Sequence, residues 1–247
     1  MKTCLELAFQ QGHKAIAVYI DPITSLSTAL TQIGFHATRP TLVLIGGAGG
    51  LTAQDADRLK GLFQTVICPL AEAADWIVID GGTDAGIMRL MGQVYQEMQC
   101  TFCLLGVVVQ NKAITPNSTD RVDQDAADLE PHHTHFLLVP GEQWGDESAW
   151  IAQAATILSQ GNASATIVIN GGEITLKQDI PNSLKDRRPV LVLAGTGRTA
   201  DRVAAVATGQ TQDADIQPLI DSGLIVAIDG LQNPVTLYQK LQAILGT

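Results

Sequence analysis

Positive charge is scarce in this chain. Fifteen Lys and Arg residues stand against 25 Asp and Glu, a formal net charge of -10 over 247 residues. That balance argues against nucleic-acid backbones and anionic membrane surfaces as partners. It leaves room for a small anion, because repulsion is screened beyond about 8 Å at physiological salt and local donors then decide. Aromatic residues make up only 4% of the chain, while Gly numbers 23, which suits an aliphatic core with many tight turns. No apolar run approaches the ~20 residues of a membrane-spanning helix. The opening MKTCLELAFQQGHK, with Glu6 and the polar Gln10-Gln11-Gly12, lacks the apolar stretch of a secretory leader. The chain is therefore expected in the cytoplasm, where the sequons at Asn117 and Asn162 carry nothing. Cysteines are few, at 4, 68, 100 and 103. Cys100 and Cys103 form a C-x-x-C with no second pair, and it runs into a strand pattern, so free thiols are expected.

Apolar residues are plentiful, at 46% against 16% charged, enough for an ordered core. Strand-length runs occur at 15–20, 41–45, 76–79, 102–109, 135–139, 165–169, 190–194 and 224–228. They lack period-2 alternation, as expected for strands buried on both faces of a parallel sheet. Helical patterns lie between them. Thr52–Phe63 starts at a threonine cap and spaces Ala56, Leu59 and Phe63 on one face; Asp146–Gln160 and Asn233–Leu245 read likewise. The alternation predicts an α/β, Rossmann-like, doubly wound and mostly parallel sheet with helices on both faces, in one domain over 1–247. Gln110–Pro131 is polar and too long for a plain connection, and reads as a functional insertion.

Where the glycines fall is the strongest signal. Strand runs end in Gly46-Gly47-Ala48-Gly49-Gly50, in Gly81-Gly82-Thr83-Asp84-Ala85-Gly86, in Pro140-Gly141-Glu142, in Asn170-Gly171-Gly172-Glu173 and in Gly195-Thr196-Gly197-Arg198. In a parallel sheet all five lie on the carboxyl edge, where open α/β sheets bind ligands. Glycine lets backbone approach a ligand, and helix starts supply free N–H donors for an anion. Turn chemistry alone explains any one of these loops; five together favour a phosphate-bearing ligand. There is no Walker A loop and no G-x-S-x-G elbow. Gly195–Ala200 fits G-x-G-x-x-G/A, but only one strand follows it. Arg198 is a candidate phosphate partner. Arg89 is split between ligand and surface. Glu142 and Glu173 could bind ribose hydroxyls or act as bases, although helix capping explains both equally, as it does Asp80 and Asp84. His132, His133 and His135 suggest metal, yet no acidic third ligand is evident and none is assigned.

The segments GGTDAGIM (81–88), LEPHHTHFLLV (129–139), INGGEI (169–174) and PVLVLAGTGRTAD (189–201) together resemble the SLOG superfamily. More narrowly the chain is similar to its prokaryotic LSDAT type, which resembles the cytosolic N-terminal region of melastatin-type TRP channels. The resemblance spans 41 to about 201. It implies a Rossmann-like domain that binds nucleotide-derived ligands, with ADP-ribose-like molecules leading and cyclic nucleotides next, and with no required cofactor. Gly46, Gly47 and Gly49 would line one cradle; Gly81, Gly82, Thr83 and Gly86 a second. Gly141, Glu142, Gly171, Gly172, Glu173, Gly195, Thr196, Gly197 and Arg198 would complete the pocket. An effector protein and a homodimer are the partners the resemblance suggests. The related nucleotide-hydrolysing branch carries P-G-G-x-G-T-x-x-E, from which this chain departs: no proline precedes Gly81, and Met88 and Arg89 stand where the acid is needed. The expectation is thus a ligand sensor without catalytic residues. The alternative is an enzyme acting on the N-glycosidic bond of a nucleotide such as NAD or AMP, with Glu173 or Glu142 as base. A bulky residue at Gly82 is expected to abolish ligand binding and leave the fold intact.

Overall fold

The computed structural model describes residues 4–10, 12–21, 25–116 and 123–246. The chain runs through β1 (Cys4–Ala8), β2 (Lys14–Tyr19), α1 (Leu26–Gln32), β3 (Thr41–Gly46), α2 (Ala53–Leu62), α3 (Cys68–Ala73), β4 (Ile77–Asp80), α4 (Gly86–Glu97) and β5 (Leu104–Val109). Short strands β6 (Ala113–Ile114) and β7 (Ala127–Asp128) follow, then β8 (His135–Val139), α5 (Ser148–Leu158), β9 (Ser164–Ile169) and α6 (Ile180–Lys185). It closes with β10 (Val190–Ala194), α7 (Arg198–Ala207), α8 (Gln217–Ile220), β11 (Ile225–Asp229) and α9 (Pro234–Leu245).

Nine strands form one sheet in the order β1-β2-β8-β5-β4-β3-β9-β10-β11. All neighbours are parallel except β1, which pairs antiparallel with β2 at the edge. The run from β5 to β11 has the strand order of a dinucleotide-type doubly wound fold, so the strand order reverses between β3 and β9. Successive residues of each strand face opposite layers. Leu42, Leu44, Val78 and Leu104 pack under α2, α3, α4 and α9. Val43, Ile45, Ile79 and Leu105 pack under α1 and α5, and Val168, Val190 and Val192 continue that layer under α6 and α7. Both faces of the central strands are thus dry, which is why their sequences are apolar at most consecutive positions.

Two wide helical turns share one cause. Phe63–Ile67 and Thr175–Asp179 adopt π geometry, with Cys68 N donating to Phe63 O and Ile180 N donating to Thr175 O. Each is followed at once by a proline, Pro69 or Pro181, in the next helix. A proline ring collides with the carbonyl four residues back and brings no N–H, so widening the preceding turn relieves the ladder. The helix expected to end near Phe63 therefore carries on, through the π turn and α3, to Ala73. Within the expected insertion, Ala113–Ile114 and Ala127–Asp128 pair in parallel, while 117–122 lie outside the described residues.

Candidate functional site

The switch between β3 and β9 opens into a cavity of about 620 Å³. That is the size range of small-molecule and cofactor sites. The loop after β3 supplies Gly46 to Gly50, the loop after β4 supplies Gly81 and Thr83, and the loop after β9 supplies Gly172 and Glu173. Arg198, at the start of α7, joins them. Met88, Trp144, Ile151 and Ile174 add apolar wall, and Asp125 and Ala127 bring the insertion to the rim.

Of the sequence-predicted residues, then, Gly46, Gly47, Gly49, Gly81, Thr83, Gly172, Glu173 and Arg198 meet at one cavity. The others stand behind it. At Gly82 (φ +63°) a Cβ would lie 2.7 Å from the Cα of Gly106 on β5. A bulky residue there would push two strand ends apart, so it cannot leave the fold intact as the sequence suggested. At Gly86 (φ +49°) a Cβ would fall 1.9 Å from the Gly47 carbonyl oxygen. Gly171 lies over the Thr175 side chain, Gly195 over Leu231, and Gly141 over Asp146 and Val109. Thr196 is buried, donating to Leu193 O at 2.6 Å and accepting from Asn170 N at 2.9 Å. Gly197 packs near the Asn170 amide nitrogen. Glu142 is exposed outside the cavity, and its amide donates to Asp146. Glu173 sits at the rim, its side chain 67% exposed and paired with Lys177 at 3.0 Å. Arg89 pairs with Asp84 at 2.7 Å and belongs to the surface.

At the floor, two side chains converge on Gly47. The Arg198 guanidinium donates through Nη1 to Gly49 O at 2.8 Å, crossing from α7 to the β3 loop. Asn170 is 2% exposed; its Nδ2 donates to Thr196 O at 3.1 Å, which fixes Oδ1 as the acceptor. Among the described residues that Oδ1 has no partner. A Cβ on Gly47 would stand 3.0 Å from both Arg198 Nη1 and Asn170 Oδ1. Glycine thus keeps open a notch with a cationic donor on one side and an orphaned acceptor on the other. A buried polar atom without a partner costs about 1–3 kcal/mol, so this notch suits an incoming hydroxyl beside an anionic oxygen.

A second wall holds carboxyls that sequence reasoning missed. Glu147 precedes α5, and Asp179 ends the π turn before Pro181; both line the cavity. Burial pushes the Glu147 carboxyl up to about 7; the Gly145 amide, donating at 2.8 Å, opposes this and the nearby Asp179 and Asp146 charges add to it. Burial also raises Asp179, against hydrogen bonds from Ser148 and Thr175. The folded state then holds a proton on Glu147 that the unfolded chain releases above its ordinary value of 4.5. Stability should fall as pH rises from about 4.5 to about 7 and stay lower above that. Glu147→Gln, which keeps the acceptor for Gly145, should match the parent at pH 4 and exceed it by about 3 kcal/mol at pH 8. Urea unfolding at the two pH values checks this, and an equal difference at both would refute it.

Beneath the β4 loop lies a buried charged chain. His133 Nε2 donates to Asp80 Oδ1 at 2.8 Å and its Nδ1 to Glu130 Oε2 at 2.9 Å, all three residues being essentially inaccessible. Burial alone would lower the imidazole, but the two carboxylates outweigh it and push it up to about 10. Glu130 also meets His132 Nδ1 at 2.6 Å and is held below its usual range because His133 and His132 outweigh its burial. Asp80 Oδ1 accepts from Gly82 N at 2.7 Å, tying the network to the cavity loop. The histidines meet different neighbours: His133 stacks on Phe136, whereas His135 packs on Phe35. Among the described residues no group of three or more His, Cys, Asp or Glu side chains is arranged to hold a metal ion. The sequence signal for this network was Gly92 inside α4, where a Cβ would come within 2.0 Å of the Glu130 carboxyl.

Residues 39–239 match the family described as SLOG in TRPM, prokaryote. The chain belongs to this SLOG family. Relatives of this SLOG chain include the mouse transient receptor potential cation channel subfamily M member 2, 23% identical over 233 residues, covering 81% of this chain and 15% of the channel. The sea anemone Nematostella vectensis has a subfamily M member-like 2 protein, 23% identical and covering 77% of this chain and 14% of that one. The SLOG chain therefore spans about one seventh of these relatives' length. The X-ray structure of TM1055 superposes with a TM-score of 0.52 at 17% identity, covering 83% of this chain and 99% of that one, which shows the shared fold. No helix among the described residues is long and apolar enough to cross a membrane.

Proposed function

We propose that this SLOG chain is a cytoplasmic sensor domain whose switch-point cavity holds a nucleotide-derived, ADP-ribose-like ligand. The observation that carries the reading is the notch at Gly47. A phosphate there meets the Arg198 guanidinium, and a ribose hydroxyl on the same ligand satisfies the orphaned Asn170 Oδ1. Ribose phosphates present both groups within a few bonds of one another. The loops contribute backbone N–H donors, which bind phosphate with few basic side chains. The apolar wall of Met88, Trp144, Ile151 and Ile174 fits the less polar part of such a ligand.

ADP-ribose should raise the melting temperature of the full chain, with AMP and inorganic phosphate as progressively smaller probes. Arg198→Ala should weaken ADP-ribose binding on the order of ten-fold or more, the worth of one charge-assisted bond. Calorimetric titration of both proteins measures this, and unchanged affinity in the variant refutes the site. Chromatography of the same mixtures separates the sensor from the N-glycosidase alternative. Intact ligand after prolonged incubation favours the sensor, and free base favours the enzyme.

A further inference from the structure

The second wall of the cavity has no evident use in holding an anion. Glu147 and Asp179 both line it, and among the described residues no ion pair with Lys or Arg reaches either carboxyl. Asp146 bears on Glu147 from the same loop, and Asp125 and Glu173 line the cavity too. Arg198 is the one Lys or Arg side chain among the lining residues, and it is bonded to Gly49 O in the glycine cradle. Acids gathered in a phosphate-binding cavity weaken a wholly anionic ligand, so their presence calls for a partner of the opposite sign. The orphaned Asn170 Oδ1, buried beside the cavity residue Gly47, is a further group here that lacks a partner among the described residues.

We propose that the Glu147–Asp179 wall selects nucleotides that carry a positively charged head group in addition to the phosphate held by the glycine cradle. This rests on the nucleotide reading above and narrows it from ADP-ribose-like molecules in general to those bearing a cationic ring or amine. Ligand binding then compensates the acid pair, and the two walls read opposite charges on one molecule. Asp179 is held in place by Ser148 and Glu147 by the Gly145 amide, so the carboxyls are fixed before the ligand arrives. Because Glu147 titrates near neutrality, the selectivity depends on pH: its negative charge, and with it the preference for a cation, grows from pH 6 to pH 8.

NAD+ and NADH test this directly, since they share both riboses, the pyrophosphate and adenine and differ in the charge of one ring. At pH 8 the full chain should bind NAD+ on the order of ten-fold tighter than NADH, the range of a partly desolvated charge pair. At pH 6 the ratio should shrink. In Glu147→Gln/Asp179→Asn it should fall to about two-fold or less at both pH values, within the scatter of neutral substitutions. Equal binding of NAD+ and NADH by the parent, alongside binding of ADP-ribose, overturns the proposal and leaves the nucleotide reading standing. A preference that survives in the double variant, or that does not change with pH, also overturns it. If ADP-ribose, NAD+ and NADH all fail to bind, both readings fall together.

Discussion

Replacing His133 with leucine should cost about 3–5 kcal/mol of stability at pH 7, the range for removing one partner of a buried charged pair. Leucine roughly fills the space but leaves the Asp80 and Glu130 carboxyls facing each other with no cation between them. For a chain of this size the loss corresponds to a melting temperature lower by roughly 10 °C. The pH dependence is the sharper signature. An imidazole held up to about 10 contributes stability that is complete below its ordinary value of 6.5 and is lost as pH rises towards 10. The parent should therefore weaken steadily over that window, and His133→Leu should show that slope removed. A loss below about 1 kcal/mol, or parallel pH curves, would mean that the buried chain carries no net stabilisation. Since Asp80 also receives the Gly82 amide, ligand affinity should fall with stability.

Gly86→Ala is expected to be nearly as severe. The residue opens α4 at φ +49°, and its missing Cβ would sit 1.9 Å from Gly47 O and 2.7 Å from Ala48 Cα. Those neighbours are backbone, so they cannot rotate aside as a side chain would. Positive φ at a residue with a Cβ costs about 1–2 kcal/mol, and overpacking against fixed atoms about 1–3 kcal/mol more. Relief requires the helix start to retreat from the β3 loop, breaking the Ile87 N to Gly47 O bond of 3.2 Å. The cradle is then deformed as well as the fold, so ADP-ribose binding should be lost along with about 3 kcal/mol of stability. Gly49→Ala is the matched control: it lines the same cavity but a Cβ there meets nothing within 4 Å. If urea unfolding gives the two variants equal stability, the close approach at Gly86 is not what holds these loops.

The strands of the central sheet could be read because burial on both faces forces apolar residues at consecutive positions. β1 escaped that reading. As an antiparallel edge strand it needs only Leu7 deeply buried, and CLELA carries little signal. The glycines were visible, but their division of labour was not. Gly82 answers to Gly106, Gly86 to Gly47, and Gly46 to Ile169 and Ile87, all contacts that no local pattern reports. Nothing local sets Glu147 apart from Glu142 and Asp146 beside it, and Asp179 follows no glycine turn. Asp179 reaches the cavity instead from the turn that Pro181 widens. His133 was seen only as a metal candidate, because the acids that hold it, Asp80 and Glu130, come from different strand ends and were read as caps or not at all.

The placement of β2 sets an order of events during synthesis. Ile16 lies beside His135 and Tyr19 beside Leu138, so the β1–β2 hairpin docks against a strand that is made much later. β3 likewise waits for β9 on one side, with Thr41 beside Ser164. A nascent chain stalled before residue 135 would carry a hairpin with no partner and a half-covered β3, both with open edges able to pair with other chains. Long-range pairing of this kind closes slowly. A ribosome-bound intermediate ending near residue 130 should therefore be the species most prone to aggregate and most dependent on chaperones, and the risk should lapse once β9 emerges.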